Sequence, residues 1–281
     1  MFERIANSWE LMRQSFRVLQ ADKELMIFPF LAAIASILVA ISFFVPMALL
    51  GQFDQIANEE GISVVNAIAF FIFYVISYFV TIFSNSALVG AALIRLNGGD
   101  PTVRDGLRIA SSHVSQIFGY AVIAATVGMI LRAIAERTGT IGDIVVGLVG
   151  MAWSLATFMV VPVLVTENVG PIEAIKRSSS LLRRTWGEQI TGNFSLGAIF
   201  GILFVVLAII SVVLFGAIAS IGNSVLTISF VAIMALAFIV LALLNSTLSG
   251  IYAAAVYQYT TTGNTGDFFD ANIVRNSFRQ K

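Results

Sequence analysis

Residues 161–189 read VPVLVTENVGPIEAIKRSSSLLRRTWGEQ. An apolar run ends at Glu167, and a short turn leads to Pro171 and to a basic stretch that ends at Trp186-Gly187. Two structures fit this order of residues. One is a catalytic loop in an apolar protein, and the other is a junction between a membrane helix and a helix on the membrane surface. The rest of the chain distinguishes them.

The composition is typical of a protein that lies in a membrane. Hydrophobic residues make up 58% of the 281 residues and charged residues only 11%, whereas about 25% of a soluble domain is charged. The mean hydropathy is +0.92. The chain has no cysteine, which excludes disulfides, thiolate catalysis and cysteine-ligated metals. Because residues 1–24 contain acidic residues, we do not expect a signal peptide there.

Six apolar stretches are long enough to cross the hydrocarbon core of a bilayer, which takes about 20 helical residues. They cover residues 25–50, 64–96, 116–136, 141–166, 190–219 and 224–258. We therefore predict an all-α fold, a polytopic membrane protein with six transmembrane helices. We expect residues 1–281 to form a single integral membrane domain.

The basic residues indicate the orientation of these spans. Of the 16 lysines and arginines, 14 fall on one side of the predicted arrangement, and only Arg132 and Arg137 fall on the other. Basic residues are enriched in cytoplasmic loops. We therefore expect both termini in the cytoplasm and the protein in the cell inner (cytoplasmic) membrane.

An internal repeat divides the chain into three units. AIKRSSSLLRRTWG (174–187) aligns with GLRIASSHVSQIFG (106–119), and WELMRQSFRVLQ (9–20) is a weaker third copy. Each copy is amphipathic at the helical period, which is typical of helices that lie in the membrane interface. We predict the units 1–96, 97–166 and 167–260, each with a cytoplasmic-side amphipathic helix and a hairpin of two spans. Residues 261–281 form a cytoplasmic tail, in which 267–281 are a candidate fourth surface helix.

The repeat also predicts where two surface helices begin and which side chains form an apolar face, directed toward the acyl chains or the bundle. On the third copy we expect Ile175, Leu182 and Trp186 to face inward. Asp100 is a candidate N-cap before Pro101, and Pro171 suits a first helical turn. One apolar face is predicted for each of the first and third copies. These faces contain Ile5, Trp9, Met12, Phe16 and Leu19, and Ile172, Ile175, Leu182 and Trp186.

The spans that close the first and third units repeat each other. Within IFSNSALVGAAL (82–93) and LLNSTLSGIYAA (243–254), Asn85 aligns with Asn245 and Gly90 with Gly250. This alignment predicts an intramembrane polar cluster of Asn85, Ser86, Asn245 and Ser246, which either bonds the helices together or lines a cavity. In either case the two asparagine amides would lie within about 8 Å of each other. Spans of about 50 Å must tilt, break near the asparagines or project from the bilayer.

Charged residues of the opening stretch are the candidates for contact with lipid. Anionic head groups could be bound by Lys176, Arg177, Arg183 and Arg184, each of which would contribute about 1 kcal/mol. The general enrichment of lysine and arginine in cytoplasmic loops explains the presence of these residues equally well. Glu167 is interpreted as an ion-pair partner of Lys176 or Arg177, or as a cap. His113, the only histidine, is interpreted as an interfacial polar residue.

The run P-V-L-V-x-E-x-x-G-P-x-E-A-I-K-R-S (162–178) resembles a bacterial and archaeal family of six-helix integral membrane proteins of unknown function. The opening W-E-L-M-R-Q-S-F-x-V-L (9–19) is similar to the same family, and the likeness covers essentially the whole chain. A more distant resemblance is to the membrane domain fused to some glycerophosphodiester phosphodiesterases. The phosphodiesterase domain has no counterpart here. The resemblance implies architecture and location, and it implies no reaction.

Two functions are consistent with these residues. The first is a non-enzymatic membrane protein that organises lipid or a membrane partner through its cytoplasmic amphipathic helices. The alternative is a transporter or channel for a small neutral or amphiphilic solute, with a cavity near Asn85 and Asn245. We expect membrane lipids as partners, with a membrane protein or a second copy of the chain as a further candidate. No nucleic acid, cofactor or metal is expected.

The orientation can be tested by labelling introduced cysteines, because the chain has none of its own. A cysteine at Ser178 should be protected from a membrane-impermeant thiol reagent in intact cells, because this segment is predicted to be cytoplasmic. A cysteine at Asn58 should react. The reverse pattern would contradict the predicted orientation.

Overall fold

The computed structural model describes residues 2–52, 64–186, 195–270 and 273–274, without the side chains of residues 2–8, 138–141, 186, 195, 196 and 198. Within these residues the chain is helical or lies in turns and bends, and contains no strand. One turn of 3-10 helix, Lys23–Met26, precedes α2. The α-helices are α1 (Phe2–Ala21), α2 (Ile27–Leu49), α3 (Val64–Leu96), α4 (Val103–Ser112), α5 (Val114–Thr157), α6 (Val160–Thr166), α7 (Pro171–Trp186), α8 (Ser195–Ala219) and α9 (Ser224–Thr262).

Six helical segments are long and apolar enough to cross a membrane. They are Lys23–Leu49, Val64–Leu96, Val114–Arg137, Gly142–Thr166, Ile199–Ala219 and Ser224–Thr262. The predicted all-helical fold with six candidate spans is therefore confirmed. Both long closing helices, α3 and α9, continue through Asn85 and Asn245 without a break, so the predicted alternative of a break there is wrong.

Helix α5 runs through the predicted turn at 137–141 and is strongly bent. A straight helix would place Gln116 about 60 Å from Thr157. The chain from Thr157 to Asn168 spans at most about 40 Å when extended. Yet the side chain of Gln116 donates a hydrogen bond to Asn168 at 3.3 Å. The two ends of the 114–166 segment are therefore side by side.

Helix α3 is the centre of the packing, because α2, α4, α5, α6 and α9 all contact it. Residues 86–92 of α3, SALVGAA, are all buried. Small side chains in this stretch leave room for neighbouring backbones. A Cβ atom added at Gly106 of α4 would collide with the Ala87 carbonyl and with Phe28, and one added at Gly250 of α9 would lie 2.5 Å from the Leu88 side chain. Close approach of α4 and α9 to α3 thus requires these two glycines.

Helices α1, α4 and α7 are here called the collar. Contacts bring two of them and the C-terminal segment to the same end of the spans. Glu24, just after α1, accepts a hydrogen bond from the Val103 amide at the start of α4. The Arg95 side chain donates to the Ala21 carbonyl, and the Asp270 amide donates to Gln14. The long helices that end at Leu96, Thr166 and Thr262 end on this side, which we call the collar end.

The start of α4 differs from the prediction. Thr102 is the N-cap and forms a capping box with Asp105, so the helix begins at Val103, and Asp100 and Pro101 lie outside it. The Thr102 side chain satisfies an orphan amide of the first turn, which is the reason that such residues are preferred at this position. Pro171, in contrast, is the first residue of α7, as predicted.

The predicted apolar faces of the collar helices are divided in the structure. On α1, Leu11, Ser15 and Val18 are fully buried, whereas Trp9 is 56% and Phe16 41% exposed. On α7, the buried residues are Ala174, Ser178, Leu181 and Leu182, and Ile172 is 61% exposed. Leu182 faces inward as predicted, and Ile175 is half-buried. Trp9, Phe16 and Ile172 lie on sides of their helices that do not pack on the bundle, because the small residues Ser15, Ala174 and Ser178 let the helix backbones approach the bundle on another side. The side chains of Ile5 and Trp186 lie outside the description.

Burial also bears on the labelling sites and on the tail. Ser178 is fully buried, and its hydroxyl accepts a hydrogen bond from the Met159 amide, so a cysteine there would be protected on either side of the membrane. Ser180 is exposed and is the informative position on this helix. Asn58 lies outside the described residues. In the predicted tail helix 267–281, residues 267–269 form bends, Ile273 and Val274 are helical, and residues 271–272 and 275–281 lie outside the described residues. Phe269 and Val274 are buried.

The packing of α7 predicts different effects for two leucine-sized side chains of one helix. Leu182→Ala should lower the free energy of unfolding by about 2–5 kcal/mol, because it leaves a cavity in the core. Ile172→Ala is the matched control and should change it much less, because this side chain is exposed. Denaturant unfolding of the purified chain in detergent micelles measures both. Equal destabilisation would mean that α7 does not pack as described.

Candidate functional site

Polar side chains from α3, α6, α7 and α9 meet at the collar end. We call this cluster the polar junction. It contains Asn97, just after α3, Thr166 and Glu167 at the end of α6, Arg177 of α7, and Tyr257 and Gln258 of α9. Helices α3, α6 and α9 reach the cluster with their last turns or the residue that follows, and α7 contributes Arg177 from its middle. The spans that close the three predicted units therefore meet at one place.

Tyr257 is the centre of one half of the polar junction. The hydroxyl groups of Thr166 and Tyr257 are 2.7 Å apart, and the Tyr257 hydroxyl donates to a carboxylate oxygen of Glu167 at 3.1 Å. The Nε group of Arg177 donates to both oxygens of the same carboxylate, at 3.1 and 2.9 Å. Charge-assisted hydrogen bonds of this kind are among the stronger ones in proteins. This half of the junction ties α9 to α6 and α7.

Gln258 forms the other half. Its side-chain nitrogen donates to the Asn97 side-chain oxygen at 2.9 Å, and Asn97 in turn donates to the Leu93 carbonyl at 2.8 Å. Gln258 is only 7% exposed. Its side-chain oxygen is buried and has no hydrogen-bond partner. A buried acceptor without a donor costs about 1–3 kcal/mol, so this position is a candidate for contact with a bound molecule.

A cleft of about 390 Å³ lies beside the polar junction, between α3, α4 and α6. Most of its lining is aliphatic, and Asn97 and Thr166 are the two polar residues of the lining. The full set of lining residues is Gly90, Leu93, Ile94, Asn97, Gly99, Ile109, Val165 and Thr166. The cleft thus has an apolar wall and a polar end.

A second polar cluster connects α1 to the end of α3. Arg95 donates to the Gly99 and Ala21 carbonyls and pairs with Asp100 at 3.3 Å. Asp22 is 6% exposed, and one of its carboxylate oxygens is buried without a partner. Burial raises the pKa of Asp22 above its usual range, against the opposing effects of a backbone hydrogen bond from Glu24 and the charge of Arg95. This cluster holds the collar to the bundle.

The predicted intramembrane cluster is only partly assembled. Ser86 is fully buried and its hydroxyl has no partner. The Asn85 side chain lies against α9, with its oxygen 3.0 Å from the position of a Cβ atom built at Gly250. Ser246, in contrast, is exposed, so Ser86 and Ser246 do not share an environment. The approach of Asn85 to Asn245 stays a prediction.

The four predicted lipid-contacting bases fall into two groups. Arg177 is engaged by Glu167, which confirms the ion-pair interpretation of Glu167. Lys176, Arg183 and Arg184 are exposed. His113 lies at the C-cap of α4, and its ring contacts the Ile109 carbonyl and the Ser112 hydroxyl. In the described ranges no group of three His, Asp or Glu residues could hold a metal ion.

Four residues of the polar junction were missed at the level of sequence, namely Asn97, Thr166, Tyr257 and Gln258. In the sequence, these residues are marked only by their position, because each lies within a few residues of the end of a closing span. The offset of 160 that aligns Asn85 with Asn245 also aligns Asn97 with Tyr257. Because Asn97 and Tyr257 are different residue types, a comparison of residue identities does not detect this pair. Only a comparison of the ends of the two spans does.

Comparison with known proteins identifies a family but no function. A family model described as a family of unknown function, DUF6159, matches residues 64–269. The matched range begins at α3 and includes the whole polar junction. No curated protein and no solved structure matches the chain.

The hydrogen bond between Thr166 and Tyr257 predicts that these residues are energetically coupled. In a double-mutant cycle with Thr166→Val and Tyr257→Phe, the coupling energy should be about 0.5–1.5 kcal/mol, because each change removes the same bond. Denaturant unfolding in detergent micelles gives the four free energies.

Thr126 supplies the matched control for this cycle. Its hydroxyl bonds only within α5, to the Val122 carbonyl, so Thr126→Val combined with Tyr257→Phe should be additive. Additivity in both cycles would contradict the bond at the polar junction.

Proposed function

We propose, on the premise that the chain belongs to the DUF6159 family of unknown function, that it is a non-enzymatic membrane protein that organises lipid. In this proposal the collar lies at the cytoplasmic face of the inner membrane and binds anionic lipid head groups there. The observation that carries the proposal is the composition of one exposed side of α7.

That side of α7 combines an apolar residue with two bases. Positions 172, 176 and 183 fall on one side of a helix, because their spacings are close to whole numbers of turns. Ile172 is 61% exposed, and Lys176 and Arg183 are also exposed. Basic side chains can lay their aliphatic stems along acyl chains while their charges reach the phosphate level. This side of α7 is therefore suited to contact with a lipid monolayer.

Helix α1 supports the same arrangement. Its exposed aromatic residues, Trp9 and Phe16, lie on the side next to Arg13, whose side chain is 63% exposed. Tryptophan is enriched at the level of the head groups, where its ring has both an apolar and a polar environment. The side of α1 that packs on the bundle is a different one. Two collar helices thus have one side for the protein and a neighbouring side for lipid.

The three-unit architecture is part of the proposal. In it, each collar helix precedes a hairpin of two spans, and both termini are cytoplasmic. The contact between Gln116 and Asn168 supports a reversal of the chain within α5, and the turn at Ser220–Asn223 supports one between α8 and α9. The bases Arg95, Arg104, Arg108 and Lys176 lie at or near the collar end, which supports the orientation.

The alternative of a transporter or channel requires a water-accessible path between α3 and α9. Contacts at the level of Asn85 argue against such a path, because a Cβ atom at Gly250 would collide with the Leu88 side chain and touch the Asn85 amide. The two helices are in contact where the cavity was predicted. Lipid organisation is therefore the better supported function.

The proposal predicts that two bases of α7 hold anionic lipid. Lys176→Gln/Arg183→Gln should weaken binding of phosphatidylglycerol to the purified chain by about 2 kcal/mol, or roughly 30-fold, because each base contributes about 1 kcal/mol. Native mass spectrometry of the chain titrated with phosphatidylglycerol, and with phosphatidylcholine for comparison, measures the binding.

Arg132→Gln/Arg137→Gln is the matched control, because it removes the same charge from the predicted opposite side. It should leave phosphatidylglycerol binding within about twofold of the unchanged chain. An equal loss in both double variants would mean that net charge alone attracts the lipid. No loss in the α7 variant would exclude this side of the collar as the binding surface.

A further inference from the structure

The cleft beside the polar junction is separate from the basic side of α7 and has a different chemistry. We infer that it binds the aliphatic chain of an amphiphile whose head group is uncharged, such as a monoacylglycerol. This inference does not rest on binding of anionic lipid by the collar. It rests on the shape of the cleft, on an unpartnered acceptor behind it and on the pairing of the charges around it.

The wall of the cleft is suited to an alkyl chain. Leu93, Ile94, Ile109 and Val165 supply aliphatic surface from three helices. Its volume of about 390 Å³ lies in the range of small-molecule sites, about 300–1,000 Å³, which are mostly apolar with a few polar groups. A flexible, unbranched chain fits a site whose lining contains no aromatic ring.

The polar end of the cleft supplies hydrogen-bonding groups for a head group. Asn97 and Thr166 line it, and Asn97 accepts a bond from the Gln258 amide nitrogen. The oxygen of the same Gln258 amide is buried and unpartnered. That orphan acceptor is therefore only one amide group away from a residue of the lining. Gln258 is not part of the lining, so a ligand would bond to Asn97 and Thr166, and a hydroxyl group can both donate to and accept from such side chains.

The charges near the cleft favour a head group without charge. Arg177 is paired with Glu167, and Arg95 is bonded to two carbonyls and to Asp100. Each of these cations therefore already has an anionic partner, and the Nε group of Arg95, which has no hydrogen-bond partner, is buried. A carboxylate or phosphate placed at Asn97 and Thr166 would lose water without gaining an unpaired cation, which is costly. The uncharged hydroxyls of a glycerol head group avoid this cost.

Binding of two probes of equal chain length tests the inference. The purified full-length chain in detergent micelles should bind monodecanoylglycerol at least about tenfold more tightly than decanoate, by native mass spectrometry at neutral pH. Leu93→Trp should weaken binding of monodecanoylglycerol by about tenfold or more, because the larger ring occupies the cleft. Leu236→Trp places the same ring on an exposed part of α9 and should leave binding unchanged.

Further variants keep the test decisive. If Leu93→Trp does not fold, Leu93→Ala removes part of the wall and should still weaken binding by about threefold or more. Lys176→Gln/Arg183→Gln should bind monodecanoylglycerol as the unchanged chain does, which separates this site from the collar surface. Equal binding of decanoate, undiminished binding by the folded Leu93 variants, or no binding of monodecanoylglycerol would each overturn the inference.

Discussion

Close packing around one short stretch of α3 is the constraint on which the rest of the structure depends. Residues 86–92 are buried on every side of the helix, although the helix contains only small and aliphatic side chains there. In a bilayer, lipid tails are as apolar as leucine, so helices associate through close van der Waals contact and not through exclusion of water. Gly106 and Gly250 let α4 and α9 come into such contact with α3. The position of the collar follows, because α4 is fixed against the last turns of α3.

The polar junction has a complementary role at the collar end. At the collar end of α3, α6 and α9, these helices are joined by side-chain hydrogen bonds and not by close apolar packing. Tyr257 joins α9 to α6, Gln258 joins it to the end of α3, and Glu167 extends the network to Arg177 of α7. Because Glu167 engages Arg177, this base is used within the protein. The exposed bases on the other side of α7 are the ones that we propose to contact the membrane surface. The same network forms the polar end of the cleft.

The proposed lipid surface and the proposed amphiphile site differ in the way that they treat charge. On α7, Lys176 and Arg183 are exposed beside Ile172, where a charge in water attracts an anionic surface over about a Debye length. At the cleft, Arg95 and Arg177 are already paired with acidic side chains, and the buried groups without a hydrogen-bond partner are the neutral oxygen of Gln258 and the Nε group of Arg95. A chain that organises lipid could thus hold charged head groups at its surface and a neutral amphiphile within it.

The sequence by itself determined the class of fold, because apolar length and the period of the amphipathic stretches are local properties. The bounds of α3 were predicted correctly, as was the start of α7 at Pro171. Only the tertiary structure decided which side of each collar helix packs inward, because backbones approach most closely at Ser15 and Ala174, and the large side chains of Trp9 and Ile172 are excluded. It also decided that the polar contact among the closing helices lies at Asn97, Thr166 and Tyr257. Hydrogen bonds depend on distances between helices, and the spacing of residues along the sequence does not determine these distances.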